Sequence, residues 1–108
     1  MNQLSIVMYD CQSDSVRKKC ASLCLDVGLQ RIQYSVFAGS LTASKKTWLE
    51  TQFQQIHQEY DIQGSISIIP LAAHVIQKIF CIYNPTYKAS TIHPIHALTS
   101  DQNSQFVV

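Results

Sequence analysis

The side chains best suited to chemistry fall in three short runs. Tyr9-Asp10 closes a stretch of alternating apolar residues, Arg17-Lys18-Lys19 follows it, and Arg31-Ile32-Gln33-Tyr34-Ser35-Val36-Phe37-Ala38-Gly39 comes after a Gly-Leu break. A carboxylate where a strand gives way to a helix is held on rigid backbone and points off the sheet. Magnesium takes one or two protein carboxylates and completes its shell with water and phosphate oxygens, so Asp10 is a candidate metal ligand. One Asp per chain is too little for a tight site. Two copies of Asp10 brought together by a two-fold axis would share one ion, able to polarise a phosphodiester and activate water. The same position also suits a residue that only caps the helix or closes the turn. Arg17 and Arg31 carry planar guanidinium forks suited to phosphate, and Lys18 and Lys19 add charge beside them. Solvation on a helix surface is the plainer reading for Arg17, and a cross-strand partner for Arg31. Tyr34 and Phe37 are able to stack on bases, although aromatic residues in a strand more often build core. No Ser-His-Asp or Cys-His arrangement and no Gly-rich phosphate loop can be argued.

These residues need elements to position them. Leu4 to Tyr9 reads as a strand, with Leu4, Ile6 and Met8 on one face and Val7 and Tyr9 on the other, so both faces are apolar and both want a cover. Asp10 to Ser13 reads as a turn, with Ser13 or Asp14 as the cap of a helix running to about Val27. Val16, Cys20, Leu23, Cys24 and Val27 make its apolar stripe, with the basic run opposite, and Gly28 suits its end. Gln30 to Leu41 reads as two strands, or one strand sharply bent near Ser35. Thr42 caps a second helix to about Glu59, with the stripe Leu49, Phe53, Ile56 and Tyr60. Ser65 to Leu71 reads as a strand that Pro70 confines to an edge or an end. The order β-α-β-β-α-β predicts an α+β, ferredoxin-like fold: an antiparallel sheet with both helices on one face. The uncovered face predicts a homodimer, the two-fold mate being the simplest cover. An extra C-terminal strand, Lys78 to Tyr83, would suit pairing with that mate. Residues 1–83 therefore form one domain. Residues 84–108, with Pro85, Pro94 and scattered Ser and Thr, read as a loose or partner-binding tail. His93 and His96 in that tail are too few for a metal site without further ligands.

Composition narrows the class. The 108 residues are 46% hydrophobic and 14% charged, with a formal net charge of +1. So few charges suggest surface hidden against a partner, since globular domains average about 25%. The total charge does not announce a nucleic-acid binder, but Arg17, Lys18, Lys19, Arg31, Lys45 and Lys46 concentrate in the first half. The four cysteines lack a secretory leader or paired zinc spacing, and Cys20 and Cys24 fall on an apolar helix side, so a reduced, cytoplasmic protein is expected. No apolar run approaches the roughly 20 residues of a membrane span.

The string Tyr9-Asp10, the basic helix containing Arg17, Gly28-Leu29 and then Arg-Ile-Gln-Tyr-Ser-Val-Phe-Ala-Gly from Arg31 resembles the CRISPR-associated protein two family, the small subunit of CRISPR adaptation. The resemblance covers about Leu4 to Leu71. It implies a ferredoxin-like homodimer with the strand-end Asp of each subunit at the two-fold axis. It further implies a bridge between integrase dimers that helps hold double-stranded DNA during spacer acquisition in antiviral defence. The alternative it carries is a magnesium-dependent endonuclease on RNA or double-stranded DNA. Carried over, Asp10 is the Mg2+ ligand, and Tyr9, Ser35 and Phe37 belong with it to the catalytic region. Arg17, Lys18, Lys19 and Arg31 are the nucleic-acid contacts. Ala38 stands where the family usually has an acidic residue, and Lys18 and Lys19 where arginine is common. A ferredoxin-like regulatory module is a further alternative that would show no affinity for duplex DNA.

Overall fold

The chain alternates strands and helices because its apolar residues switch between the two periods, two along strands and close to four along helices. The computed structural model describes residues 2–60 and 63–80. In order they form β1 (Gln3–Cys11), α1 (Asp14–Asp26), β2 (Gln30–Gln33), β3 (Val36–Leu41), α2 (Ala43–Tyr60), β4 (Gly64–Leu71) and a short α3 (Ala73–Ile76). The four strands make one antiparallel sheet in the order β2-β3-β1-β4. Pro70 sits on β4, an edge strand, where its missing N–H leaves no gap in the sheet interior.

Both helices cover the same face. Val16, Cys20 and Cys24 of α1 and Leu49, Phe53 and Ile56 of α2 join Val7, Tyr9, Cys11, Phe37 and Leu41 of the sheet in one buried cluster. Local signals set the helix ends. The Ser13 hydroxyl accepts from the Val16 amide at 3.3 Å, and the Thr42 hydroxyl from the Lys45 amide at 3.2 Å. At the end of α1, the amides of Gly28 and Leu29 turn back to the carbonyls of Leu25 and Cys24, each at 3.0 Å. That double bond pattern needs a left-handed residue, which Gly28 supplies at φ +89°.

The opposite sheet face is partly exposed. By register it carries Leu4, Ile6, Met8 and Asp10 of β1 beside Leu71, Ile69, Ser67 and Ser65 of β4. Met8 is 40% exposed and Ile69 38%. Ala38 shares this face opposite Ile6 and is fully buried. A carboxylate at that point would lose its water, so alanine extends the apolar face instead.

Two expectations change. Asp10 is not in a turn: β1 continues to Cys11, because Asp10 pairs with Ser65 and Cys11 with Gly64. The fifth strand is absent from the described part of Lys78–Tyr83. The amides of Lys78 and Ile79 instead bond to the carbonyls of Val75 and Ile76, at 2.9 and 3.2 Å, continuing the turn of α3. Cys81–Tyr83 lie outside the described residues, as do the tail from Asn84 and its two histidines.

Candidate functional site

Strand alternation divides the predicted site between two faces. Asp10 is exposed on the open face, while Tyr9 before it is buried among the core residues under the helices. Phe37 pairs with Val7 and is fully buried on the helix side, its ring stacked on that of Tyr9 with centroids 6.3 Å apart. Ser35 lies in the turn between β2 and β3, and its carbonyl accepts the Tyr9 amide at 3.1 Å. Tyr9 and Phe37 thus brace the strand end from beneath, and Ser35 ties it to the neighbouring hairpin. Asp10 is the member of this group presented to solvent on the open side.

Arg17 turns inward. Its guanidinium donates to the carbonyl of Cys11 at 2.5 Å and of Gln12 at 2.8 Å, and it forms an ion pair with Asp14 one helical turn away. Three acceptors are therefore spent on the strand-to-helix corner, and its Nε is buried with no partner. Arg17 stabilises the backbone that follows Asp10. Lys18 is exposed beside it, and Lys19 sits over the Tyr60 ring at 5.5 Å, near α2. Arg31 lies over the Phe37 ring at 5.0 Å and the Tyr34 ring at 5.9 Å. Burial raises the Tyr9 phenol above its ordinary value of 10.0, and the hydrogen bond to Arg31 works against that rise.

Arg17, Lys18 and Arg31 converge with Tyr9, Asp14, Ala21 and Tyr34 on a cleft of about 330 Å³ at the Tyr9 end of the sheet, on the helix side. Lys19 stands apart, in a second depression with Gln52, Gln55 and Glu59. A third, of about 310 Å³, lies between α2 and β4 and is lined by His57, Gly64 and Ser65 among others.

Gly64 reads from the sequence only as a break between elements. In the structure it faces Cys11 across the ladder at φ +143°, and a Cβ there would overlap the Asp10 carbonyl oxygen. The absence of a side chain lets β4 close on the residue that carries the exposed carboxylate. The spacing of a lone glycine near a strand start gives no sign of this.

The three cysteines among the described residues are structural. Cys11, Cys20 and Cys24 are buried free thiols. Burial pushes Cys20 and Cys24 up to about 12, the neighbouring sulfur adding to the effect. Neutral thiols of this kind are poor nucleophiles.

The described residues of one chain do not make a magnesium site alone. Asp10 stands opposite Ser65, and among the described residues no group of three His, Cys, Asp or Glu side chains could hold a metal ion. None of the described helices is long and apolar enough to cross a membrane.

A two-layer α+β unit with both helices on one face of a β2-β3-β1-β4 sheet is the ferredoxin-like class. The chain belongs to the CRISPR associated protein Cas2 family, whose description matches residues 3–79. It is 36% identical over 76 residues to a protein of Synechocystis named CRISPR-associated endoribonuclease Cas2 3, covering 70% of this chain and 79% of that one. A relative from Archaeoglobus fulgidus, named CRISPR-associated endoribonuclease Cas2 1, is 35% identical over 81 residues, 75% of this chain and 84% of its own. A shorter match, 57% identical over 37 residues, spans 34% of this chain and 44% of a Chloroflexus aurantiacus endoribonuclease Cas2. Among solved structures, Streptococcus pyogenes Cas2 is similar with a TM-score of 0.62 and 26% identity, over 74% of this chain and 99% of that one. A hypothetical protein from Thermus thermophilus gives 0.59 and 29%, over 68% and 85%.

Proposed function

We propose that this chain acts as a homodimer that helps hold duplex DNA and bridges integrase dimers during CRISPR spacer acquisition. The observation that carries the reading is the open sheet face. Leu4 and Ile6, half-buried, and Met8 and Ile69, exposed, are apolar residues in register on β1 and β4, opposite α1 and α2. A second copy seated there would bury them, and a two-fold dimer matches the two-fold relation between the backbones of a duplex. Lys18 and Arg31 would then follow phosphates without reading sequence. The test is binding of a labelled duplex of about three turns by wild type and Asp10→Ala, with and without the integrase partner, on protein whose oligomeric state is measured by light scattering. Dimers of both proteins that bind with the partner support the reading. A monomer, or no duplex binding at any salt, overturns it.

The second reading is a magnesium-dependent endonuclease, and the exposure of Asp10 on that same open face favours it. Two copies meeting through the face could bring their Asp10 carboxylates together, supplying the pair that one chain lacks. Relatives named endoribonucleases make RNA the first substrate to try. Asp10→Asn removes the charge with little change of shape. Cleavage by wild type with magnesium, and none by the variant, selects this reading over the bridge.

A further inference from the structure

Sulfur is unevenly placed among the described residues. Cys11, Cys20 and Cys24 are buried under the helices, and burial pushes the thiols of Cys20 and Cys24 up to about 12. Met8 lies on the other face of β1 and is 40% exposed. By register it stands between Val36 of β3 and Ser67 of β4, with Ile6 before it and Asp10 after it on the same face. Neither cross-strand neighbour covers the side chain, which leaves it open to solvent in the single chain.

The two kinds of sulfur answer a peroxide differently. A thiol must lose its proton to become a good nucleophile, and the buried thiols hold theirs. A thioether has no proton to lose, so its lone pair needs only access. The Met8 sulfur attacks one oxygen of hydrogen peroxide, the O–O bond breaks, an S–O bond forms, and the other oxygen leaves as water. Sulfur gives up two electrons and the peroxide takes them, so one thioether and one peroxide become one sulfoxide and one water. The product is polar where the reactant was flexible and apolar.

Leu4, Ile6, Met8 and Ile69 make the apolar face on which the reading above seats a second copy. A sulfoxide oxygen carried into that contact exchanges water for Ile6, Val36 and the single hydroxyl of Ser67. Burying a polar group with too few partners costs free energy, and a two-fold contact meets that cost twice.

We propose that Met8 is a reversible oxidation site: peroxide converts it to the sulfoxide in the free protomer, and the modified chain seats a second copy poorly. The inference rests on the homodimer reading and adds its control by oxidant. A second copy on this face also shields Met8, so oxidation and association oppose each other.

The experiment treats the full chain with hydrogen peroxide at a low and a high protein concentration. Light scattering reads the oligomeric state, peptide mass spectrometry reads the gain of one oxygen at Met8, and circular dichroism checks the fold. At the low concentration, where protomers are free, Met8 should take up the oxygen. Each sulfoxide should weaken the dimer by about tenfold, or about a hundredfold for the pair. At the high concentration oxidation of Met8 should slow as the dimer fills. Methionine sulfoxide reductase with a thiol reductant should restore the untreated mass. Met8→Leu should show the same oligomeric state before and after treatment. Met8 that stays reduced in free protomers, or sulfoxide-bearing chains that associate as tightly as untreated ones, overturns the proposal and leaves the homodimer reading standing. Peroxide-driven dissociation that persists in Met8→Leu assigns the effect to another group and also overturns it. An untreated chain that is monomeric at every concentration overturns the homodimer reading and the proposal with it.

Discussion

Replacing Gly64 by alanine probes the backbone beneath the candidate site. Gly64 sits at φ +143°, and a Cβ there would lie 2.9 Å from the Asp10 carbonyl carbon and 3.5 Å from the Cys11 Cα, with the Asp10 oxygen nearer still. All three atoms are backbone of a central strand, so no side chain can swing away. An alanine in that region of backbone space costs about 1–3 kcal/mol by itself. Moving β4 off β1 to admit the methyl group forfeits about one ladder hydrogen bond, roughly a further 1 kcal/mol. The expected loss is on the order of 2–4 kcal/mol, a fall in Tm of roughly 10–25 °C for a domain of this size. Gly28→Ala is the matched control: its φ is also positive, at +89°, but nothing lies within 4 Å of the added methyl. Only backbone strain should be felt there, about 1 kcal/mol and a fall of roughly 4–8 °C. Thermal and urea unfolding followed by circular dichroism measure both. Equal losses in the two variants would refute the claim that Gly64 is required by its approach to Asp10.

Arg17→Met keeps the packed stem and removes the donors that hold the Cys11 and Gln12 carbonyls. Stability should fall by about 1.5–3 kcal/mol, as for hydrogen bonds from a charged group, whereas Asp14→Asn should cost under about 1 kcal/mol because its carboxylate is largely exposed. Urea midpoints that rank the two the other way would show that the ion pair, not the corner, holds Arg17. Raising the pH tests the buried thiols. Cys20 and Cys24 ionise near 9.0 when unfolded and near 12 when folded, so the neutral form favours the fold. Their contribution is complete below pH 9.0 and is lost as the pH rises toward 12, because the unfolded chain then releases protons that the folded chain keeps. The urea midpoint should fall through that window, and Cys20→Ala with Cys24→Ala should flatten the fall. An identical slope in the double variant would assign the effect to other groups.

Period and punctuation in the chain were enough to define the elements. The alternation through Leu4 to Tyr9, the stripes Val16-Cys20-Cys24 and Leu49-Phe53-Ile56, the caps Ser13 and Thr42, and Gly28 at a helix end all reflect local backbone preference and burial on one face. Their order specified the ferredoxin-like arrangement, because short connections leave few ways to pair four strands. The resemblance carried by Tyr9-Asp10 and the run from Arg31 marked the family. Other features depended on partners distant in sequence. Asp10 belongs to a strand only because β4 pairs with it, and Gly64 matters only where that pairing brings two backbones together. Arg17 faces inward because the strand-to-helix corner leaves carbonyls within its reach, which charge pattern does not reveal. Tyr34 and Phe37 look alike along the chain, yet the hairpin turn exposes one and the helices bury the other. Local chemistry determines which elements form, while the direction of a side chain toward solvent, core or a neighbouring backbone is settled when those elements meet.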